Sequence, residues 1–325
     1  MNNNSDQVFG DPSCTQPGQR LRDDVDPIDN GRSDRSGWAL VIVTYQPGAE
    51  LADCLASLRA VAPAPSEVIV VDNGSTNGQV EAICARFPEV TLISTGINAG
   101  YAAAANRGIA RTQAPIVAVA NPDVTFDTPV DDIVQRFERE PSLGAVGPRI
   151  LEPDGTRYPS ARRIPDVFDA AGHALAGLWW SNNPWTRRYR QADMDPERPA
   201  YAEWISGSCL WLRRCAVDQI GGWDERFFMY MEDVDLGWRL GRAGWKVAYE
   251  PAVTVTHIGG TATRSAPTAM LIAHHVSAFR FTAKRYTGLK RLLLIPAGLL
   301  LSVRAVAKIV VTRVESAFSS QRRRG

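Results

Sequence analysis

The stretch Trp38-Ala-Leu-Val-Ile-Val-Thr44 is a short run of apolar side chains, several of them β-branched. Such a run is typical of a strand that is buried on both faces of a sheet. A second run, Glu67-Val-Ile-Val-Val-Asp72, follows a segment, 49–62, whose apolar residues recur on one helical face. The alternation continues with predicted helices at 80–87 and 100–111 and predicted strands at 90–94 and 116–120. It predicts an α/β fold in which helices cover both faces of a mostly parallel sheet.

The rest of the chain is less regular. Strands are predicted at 204–212 and 246–256, with a helix from about Asp233 to Ala243 between them and another helix at 274–286. Residues 1–36 have very few large apolar side chains, which predicts a disordered leader. The predicted organisation is a leader at 1–36, a globular domain at 37–286 and a basic C-terminal segment at 287–325.

The C-terminal end is strongly basic, although the whole chain has a net charge of +1. From Lys284 to Gly325 there are ten basic residues and one acidic residue, Glu315. This asymmetry favours an anionic membrane surface over nucleic acid as the partner. The apolar run 292–303 contains a proline and is too short to span a bilayer.

We therefore expect the C-terminal segment to lie on a membrane, with Leu292–Leu294 and Leu299–Leu301 entering the headgroup region. A packed C-terminal helix with a solvated tail is the alternative. The N-terminus has no secretory signal pattern, and the five cysteines show no CxxC spacing. Free thiols and a place on the cytoplasmic side of the plasma membrane are the resulting expectations.

Polar residues follow three of the predicted strands, at Thr44, Asp72 and Asp123. Ligands of open α/β sheets bind beyond the carboxyl ends of the strands. Asp72 fits a hydrogen bond from the imide N–H of a pyrimidine, although Asp-Asn-Gly-Ser is also an ordinary turn. Asp123, in Asn121-Pro122-Asp123, fits a divalent cation that neutralises a diphosphate, or else caps a helix.

The sharpest local signal is Glu232-Asp233-Val-Asp235, three carboxylates at the start of a predicted helix. Crowded carboxylates beside apolar side chains acquire raised pKa values, which suits a general base. Favourable charge at a helix N-terminus is the competing explanation. His257, at a strand end, is either a metal ligand or a structural histidine.

The segment from Asn98 to Asn106 combines a turn with the start of a helix, where backbone N–H groups can contact phosphate. It lacks the glycine fingerprint of dinucleotide-binding proteins and the Walker sequence. An NAD-dependent oxidoreductase is therefore disfavoured.

In their order along the chain, these motifs resemble those of the GT-A glycosyltransferases of family 2. The motifs are Thr44-Tyr45, Val71-Asp-Asn-Gly-Ser75, Asn98-Ala-Gly-Tyr101, Asn121-Pro-Asp123, Met231-Glu-Asp-Val-Asp-Leu236 and Thr256-His-Ile-Gly-Gly260. Several loops further resemble the actinobacterial dTDP-rhamnosyltransferases of cell-wall arabinogalactan linker synthesis. These loops include Tyr158-Pro-Ser-Ala-Arg162, Asn183-Pro-Trp-Thr186, Ser206-Gly-Ser-Cys209 and Ala273-His-His275.

The resemblance implies a GT-A fold, which is a Rossmann-like nucleotide-sugar-binding mixed sheet with helices on both faces, here with a basic C-terminal helical extension. It implies an inverting, metal-dependent enzyme that transfers rhamnose from dTDP-rhamnose to O3 of GlcNAc on a polyprenyl diphosphate, at the inner face of the plasma membrane. The cofactor is Mn²⁺ or Mg²⁺. The resemblance leaves open a homodimer as the oligomeric state.

The resemblance also assigns roles to individual positions. Asp233 matches the catalytic base, with Glu232 and Asp235 as supporting groups. Asp123 and His257 match the metal side, although Asn121 replaces the first acid of the usual metal motif. Arg162, Arg163 and Trp204 are candidate acceptor contacts. The expected nucleotide-sugar contacts are Thr44, Tyr45, Asp72, Asn73, Ser75, Asn98, Gly100, Asn106, Asn121 and Asp123.

Two alternatives remain within the same fold. The donor could be another nucleotide sugar, as in galactofuranosyl, mannosyl or glucosyl transferases. The protein could also bind a nucleotide sugar without catalysis, because a fold alone does not establish an activity. The intact set Asp72, Asp123, Asp233 and His257 speaks against the silent alternative.

Overall fold

The computed structural model describes residues 37–164, 180, 183–191, 193–259 and 267–322. The predicted leader, 1–36, lies outside these residues. All statements below concern the described part of the chain.

The first half of the chain builds the parallel part of the sheet. Its strands are β1 (Trp38–Thr44), β2 (Glu67–Asp72), β3 (Val90–Ser94) and β4 (Ile116–Ala120), in the spatial order β3-β2-β1-β4. Each pairs in parallel with its neighbour, and every residue of β1 and β4 is buried. The connecting helices are α1 (Glu50–Ser57), α2 (Gln79–Cys84) and α3 (Tyr101–Arg111). The strand–helix alternation predicted for this half is confirmed.

The helices pack on both faces because alternate residues of β1 point to opposite sides. Leu40 and Ile42 join a core with α1 and α2, whereas Val41 and Val43 join a core with α3. The carboxyl ends of β1 and β2 meet at one edge, where Thr44 pairs with Asp72. The polar residues predicted at strand ends therefore lie along one edge of the sheet.

The second half turns the sheet into a mixed one. It contributes β5 (Val124–Phe126), β6 (Leu143–Leu151), β11 (Cys209–Arg213) and β12 (Lys246–His257), in the order β4-β11-β6-β12-β5. β11 is antiparallel to both neighbours and β5 is antiparallel to β12, whereas β6 and β12 are parallel. Two short strands, β7 (Arg157–Tyr158) and β9 (Ala200–Ala202), pair with β6 and β12.

The single strand predicted at 204–212 is wrong. Trp204–Ile205 forms β10, which pairs with β8 (Ala161–Arg162) in a separate two-stranded ribbon. The chain then turns through Ser206-Gly207-Ser208 before β11 enters the main sheet. The apolar residues on both sides of this turn are buried, so the apolar pattern alone does not reveal the break.

Four further helices complete the domain: α4 (Asp131–Arg139), α5 (Pro184–Tyr189), α6 (Arg214–Gln219) and α7 (Glu232–Arg242). α7 crosses the β8–β10 ribbon at Gly237. A Cβ atom at this glycine would lie 2.6 Å from the Glu203 carbonyl oxygen and 2.6 Å from the Trp204 Cβ. Glycine therefore permits the close contact that presses α7 against the ribbon.

The C-terminal segment forms two long helices, α8 (Pro267–Arg285) and α9 (Leu294–Arg322). α8 is tied to the domain, because Ser277 Oγ donates to the Met229 carbonyl oxygen at 2.8 Å. Lys284 Nζ also lies 2.6 Å from carboxylate oxygens of both Asp224 and Asp235. α9 packs on α8 near Gly298 and Phe279. None of the described helices combines the length and the apolar character needed to cross a membrane.

The cysteine prediction is confirmed in part. Cys54, Cys84 and Cys209 are buried free thiols, as expected. Cys215 is disulfide-bonded, which corrects the expectation for that residue. Cys14 lies outside the described residues.

Candidate active site

Asp233 lies in the first turn of α7 and is held by two backbone groups. Its Oδ2 accepts a hydrogen bond from the Gly207 N–H at 2.9 Å, and its Oδ1 accepts one from the Val234 N–H at 2.8 Å. Gly207 belongs to the turn that separates β10 from β11. The break in the predicted strand thus provides the backbone donor that fixes the orientation of this carboxylate.

Two opposing effects set the protonation of Asp233. Burial raises its pKa above the ordinary value, and the Gly207 and Val234 hydrogen bonds and the nearby Arg162 charge act against that rise. As a residue Asp233 is partly exposed, in contrast to its neighbours Glu232 and Val234. A partly accessible carboxylate with a raised pKa has the properties of a general base.

Glu232, next to it, has a different environment. Its side chain is 7% exposed and its Oε2 has no hydrogen-bond partner. Burial and the Asp233 charge raise the pKa of Glu232 well above the usual value. Because an isolated buried carboxylate is costly, this environment favours the protonated form of Glu232.

The backbone before α7 is strained. Tyr230 and Met231 have φ angles of 65° and 66°. Two consecutive residues other than glycine rarely adopt this left-handed backbone conformation. Such strain concentrates at functional sites, where the surrounding structure stabilises it. Here α8 supplies support, because His274 packs edge-on against the Tyr230 ring with the centroids 5.4 Å apart.

A second centre lies at the ends of β4 and β12, where Asp123, Asn121 and His257 meet. His257 Nε2 is 3.2 Å from Asp123 Oδ1 and 3.2 Å from Asn121 Nδ2. The other carboxylate oxygen of Asp123 accepts the Gly259 N–H at 3.0 Å. Depending on the tautomer, Nε2 either accepts from the Asn121 amide or donates to Asp123, and its single lone pair can bind a cation only when the Asn121 contact is released.

These donors suit an incomplete cation site. A carboxylate oxygen and an imidazole nitrogen are both ligands that Mn²⁺ accepts. No group of three or more His, Cys, Asp and Glu side chains with the geometry of a metal site occurs among the described residues. A cation held by Asp123 and His257 would therefore take its remaining ligands from a substrate or from water.

The two centres share the Ser206–Ser208 turn. The Asn121 N–H donates to the Ser208 carbonyl oxygen at 2.8 Å, and the Gly207 N–H donates to Asp233. The Tyr101 hydroxyl donates to the Gly207 carbonyl oxygen at 2.6 Å. Burial, followed by the charges of Glu232, Asp233 and Asp123 among other groups, raises the pKa of Tyr101 well above its usual range. Carboxylates of both acidic centres thus contribute to the raised pKa of the Tyr101 hydroxyl.

The predicted nucleotide contacts mostly form one network at the ends of β1 and β2. Asp72 accepts the Ser75 N–H at 3.0 Å and the Ser94 hydroxyl at 3.3 Å. Asn73 bonds to the Asn98 side chain at 3.0 Å and to the Gly100 carbonyl oxygen at 3.2 Å. The network holds the two loops together beyond the sheet edge.

The remaining members of this set differ in exposure. Ser75 Oγ accepts the Gln46 N–H at 2.8 Å. Thr44 Oγ1 is buried without a hydrogen-bond partner, whereas the Tyr45 side chain is 42% exposed. Asp72 is 1% exposed, so the pyrimidine ring of a nucleotide could reach its carboxylate only after local movement of this turn.

Asn106 does not join this network. Its side chain bonds to the Trp223 carbonyl oxygen at 2.9 Å, to the Trp223 N–H at 2.8 Å and to Glu225 at 2.8 Å. It ties α3 to the loop at 221–225, away from the strand ends. Its sequence position near Gly100 suggested a phosphate contact, but its hydrogen bonds describe a structural residue.

Arg162 is enclosed by aromatic rings on the β8–β10 ribbon. Its guanidinium carbon is 5.1 Å from the ring centroid of Tyr158, 5.2 Å from that of Trp204 and 5.5 Å from that of Tyr189. Trp204 is 4% exposed, so it forms the buried side of the aromatic cage around Arg162. Arg163 points elsewhere, and its side chain is 54% exposed.

Asp235 faces away from Asp233. It is fully buried and lies 2.6 Å from Arg239 Nε and 2.6 Å from Lys284 Nζ. The sequence grouped it with the base because the two are neighbours along the chain. Its contacts instead join α7 to α8. Tyr101, Gly207 and Lys284 are parts of the site that sequence reasoning did not single out.

The chain is similar in sequence to known protein families and to a curated relative. The chain matches the family described as "Glycosyl transferase family 2" over residues 39–220 and "Glycosyl transferase family group 2" over residues 183–309. It is 45% identical over 262 residues to the N-acetylglucosaminyl-diphospho-decaprenol L-rhamnosyltransferase of Mycobacterium tuberculosis H37Rv, covering 77% of this chain and 85% of the relative.

Two solved structures show the same fold. A mannosyltransferase of Pyrobaculum calidifontis in complex with GDP-Man and Mn²⁺ matches with a TM-score of 0.52 and 16% identity, covering 91% of this chain and 86% of its own. GalNAc-T7 with UDP, GalNAc and Mn²⁺ matches with a TM-score of 0.53 and 14% identity, covering 70% of this chain and 44% of its own. The predicted GT-A fold is confirmed.

Proposed function

The chain belongs to glycosyl transferase family 2, and from this premise we propose that it transfers L-rhamnose from dTDP-β-L-rhamnose to O3 of GlcNAc on a polyprenyl diphosphate. The observation that carries the proposal is the similarity to the mycobacterial rhamnosyltransferase, which extends over most of both chains. The placement of Asp233 and Asp123 on either side of one turn supports the chemistry.

In the proposed mechanism Asp233 removes the proton from the acceptor O3. As the proton moves to the carboxylate, O3 forms a bond to the anomeric carbon of rhamnose and the bond from that carbon to the dTDP oxygen breaks. The transition state has oxocarbenium character, as in glycoside hydrolysis. A single displacement inverts the configuration, so a β-linked donor gives an α-rhamnoside. The fixed hydrogen bonds from Gly207 and Val234 hold Asp233 in place for this step.

We propose that Asp123 and His257 bind Mn²⁺ or Mg²⁺, with the ion replacing the Asn121 amide as the partner of His257 Nε2. Such an ion, when bound, neutralises charge on the departing diphosphate. Asp72, Asn73 and Ser75, with Thr44 and Tyr45, would form the nucleotide side of the site. Asn98 and Gly100 would bring the N-terminus of α3 toward the phosphates.

The direct test uses purified protein, dTDP-rhamnose and a GlcNAc-diphosphate-lipid analogue, with and without a chelator. We expect an α-(1→3)-rhamnosyl product that disappears on chelation. UDP-galactofuranose, GDP-mannose and UDP-glucose serve as competing donors. Faster transfer from one of these donors would reject the assignment of rhamnose, and absence of transfer from every donor would reject the enzyme.

Substitution of Arg162 is expected to shift the pH at which kcat/KM falls on the acid side. The base must be ionised, so kcat/KM falls as the pH drops through the pKa of Asp233. Burial raises this pKa and Arg162 lowers it. Arg162→Met removes a lowering influence, and we therefore expect the acid limb to move to higher pH. Arg157→Met, an exposed arginine on β7, is the control. A limb that stays in place or moves to lower pH in Arg162→Met would contradict the proposed environment.

The C-terminal segment is proposed to bind the membrane that contains the acceptor. An apolar stripe on α9 and the turn before it is exposed by 60% to 75% at Leu292, Ile295, Leu299, Val303 and Val306. Their spacing places them on one face of a helix. Lys290, Arg291 and Lys308 are exposed near this stripe and suit anionic lipid headgroups.

We expect Ile295→Asp combined with Leu299→Asp to weaken binding to vesicles that contain phosphatidylglycerol by about tenfold or more, because two exposed aliphatic side chains that would enter the lipid are replaced by charges. Cosedimentation measures the bound fraction. The control is Ala110→Asp combined with Thr76→Asp, which adds the same charge at exposed positions elsewhere. Equal binding of both double variants would show that the stripe does not contact lipid.

A further inference from the structure

A basic cavity lies beside α5, apart from the two acidic centres. Its volume is about 580 Å³, and its lining includes Arg163, Arg187, Arg188, Gln191 and Asp193. Three guanidinium groups and one carboxylate give the lining an excess of two positive charges. The proposed mechanism uses none of these residues.

The helix that presents two of the arginines is firmly fixed. Asn183, which is fully buried, caps α5 by accepting the Thr186 N–H at 2.8 Å, and Thr186 is itself 3% exposed. Arg187 and Arg188 follow directly and are exposed. Their backbone positions are therefore set before any ligand arrives, which reduces the entropic cost of binding.

The acidic partners of the arginines are weak competitors. Arg187 lies 2.7 Å from Asp193, whose side chain is 83% exposed, and Arg163 lies 3.9 Å from Glu203, whose side chain is 47% exposed. Solvent-exposed ion pairs of this kind contribute little stability. A ligand with two or more negative charges can replace them and engage several guanidinium groups together.

Gln191 adds an independent sign of a ligand site. It adopts a left-handed conformation with φ of 48°, and one atom of its amide, Oε1, is buried without a hydrogen-bond partner. The oxygen and nitrogen of such an amide are interchangeable by rotation, so this group can offer either an acceptor or a donor. An amide oxygen without a partner among the described residues, on a strained residue in a basic cavity, is costly unless a ligand completes it.

The cavity is connected to the base through a short path. The Arg163 N–H donates to the Tyr189 carbonyl oxygen at 3.2 Å, and Tyr189 closes the aromatic cage around Arg162. Arg162 in turn acts electrostatically on Asp233. Both chain segments that line the cavity therefore border the cage beside the base.

We propose that this cavity binds the diphosphate of the lipid-linked acceptor, an inference that rests on the proposed function. The GlcNAc ring then extends from the arginines toward Asp233, which places O3 at the base and the diphosphate at Arg163, Arg187 and Arg188. Gln191 donates its amide N–H to a phosphate oxygen. This contact explains how the enzyme recognises a sugar diphosphate in preference to a neutral glycoside.

The test compares two acceptors that differ only in charge, an alkyl diphosphate of GlcNAc and an alkyl GlcNAc glycoside. The variant is Arg187→Gln combined with Arg188→Gln. We expect the KM for the diphosphate acceptor to rise about tenfold or more, since the variant loses charge-assisted hydrogen bonds to the phosphates. The KM values for the neutral acceptor and for dTDP-rhamnose should change by less than about twofold.

The matched control is Arg107→Gln combined with Arg111→Gln, which removes the same charge from exposed positions on α3. Losses of equal size on both acceptors, or an unchanged KM for the diphosphate acceptor, would overturn the proposal. So would a loss of binding to phosphatidylglycerol vesicles with the acceptor preference intact, which would assign the cavity to lipid headgroups. Absence of transfer by the wild-type protein to either acceptor would instead count against the proposed function.

Discussion

Asp233→Asn is expected to abolish rhamnosyl transfer while dTDP binding is retained. The amide of asparagine cannot take up the proton of the O3 hydroxyl. A positioned base contributes a factor of about 10²–10⁴ to the rate. Donor binding should persist because the hydrogen bonds of the Asp233 side chain to described residues come from Gly207 and Val234, which are not proposed for the nucleotide. Single-turnover rates give the loss in chemistry, and calorimetric titration with dTDP gives the retained affinity.

Glu232→Gln is the matched control for this result. Because Glu232 is buried and its pKa is raised well above the usual value, an amide of the same shape should keep kcat within a few-fold of wild type. Thermal unfolding of both variants excludes gross structural damage. If Asp233→Asn kept turnover within a few-fold of wild type, Asp233 would not be the base. A loss in Glu232→Gln as large as that in Asp233→Asn would show that Glu232 also takes part ionised.

Asp123→Ala is expected to remove the metal dependence of dTDP binding. In buffer with Mn²⁺ the affinity for dTDP should fall by about 10²-fold, because loss of a charged ligand removes several kcal/mol of interaction. In buffer with a chelator the wild-type protein and the variant should bind dTDP equally. Calorimetric titration under both conditions measures the difference without any need for catalysis.

Asp127→Ala is a suitable comparison, since Asp127 lies just after β5, is exposed, and its side chain accepts a hydrogen bond from the Thr256 hydroxyl at 2.8 Å. It should retain the metal effect in full. An Asp123→Ala protein whose dTDP affinity still responds to Mn²⁺ as the wild type does would place the cation elsewhere.

The first half of the fold was predictable because its strands are continuous apolar runs. The second half was harder, and β6 was missed altogether. Its sequence is interrupted by Gly144, Gly147 and Pro148. Gly144 fits closely against Trp245, to which a Cβ atom would come within 2.8 Å. A central strand that needs glycine for packing loses the apolar pattern by which strands are recognised.

The positions of the candidate residues in the fold were predictable where they lie at the ends of secondary-structure elements. Asp123 and His257 lie next to strand ends and Asp233 lies in the first turn of a helix, and the Ser206–Ser208 turn bonds to both Asn121 and Asp233. Residues that act through distant contacts were not predictable, because no local pattern joins Tyr101 to Gly207 or Arg162 to Tyr189. Conversely, Asn106 and Asp235 were grouped with the site by their sequence neighbours, whereas the Asn106 side chain bonds to the loop at 221–225 and the Asp235 side chain to α8.

The way α8 is attached has a practical consequence for handling the protein. The contacts of Ser277, His274 and Lys284 with the segment before and within α7 all come from α8, whereas the exposed apolar stripe belongs to the chain after Tyr286. Ending the polypeptide at Tyr286 would keep every one of these supports. A trimmed enzyme of this kind would suit detergent-free kinetics with short-chain acceptors, whereas trimming before Pro267 would release the turn at Tyr230 and Met231 and with it the base.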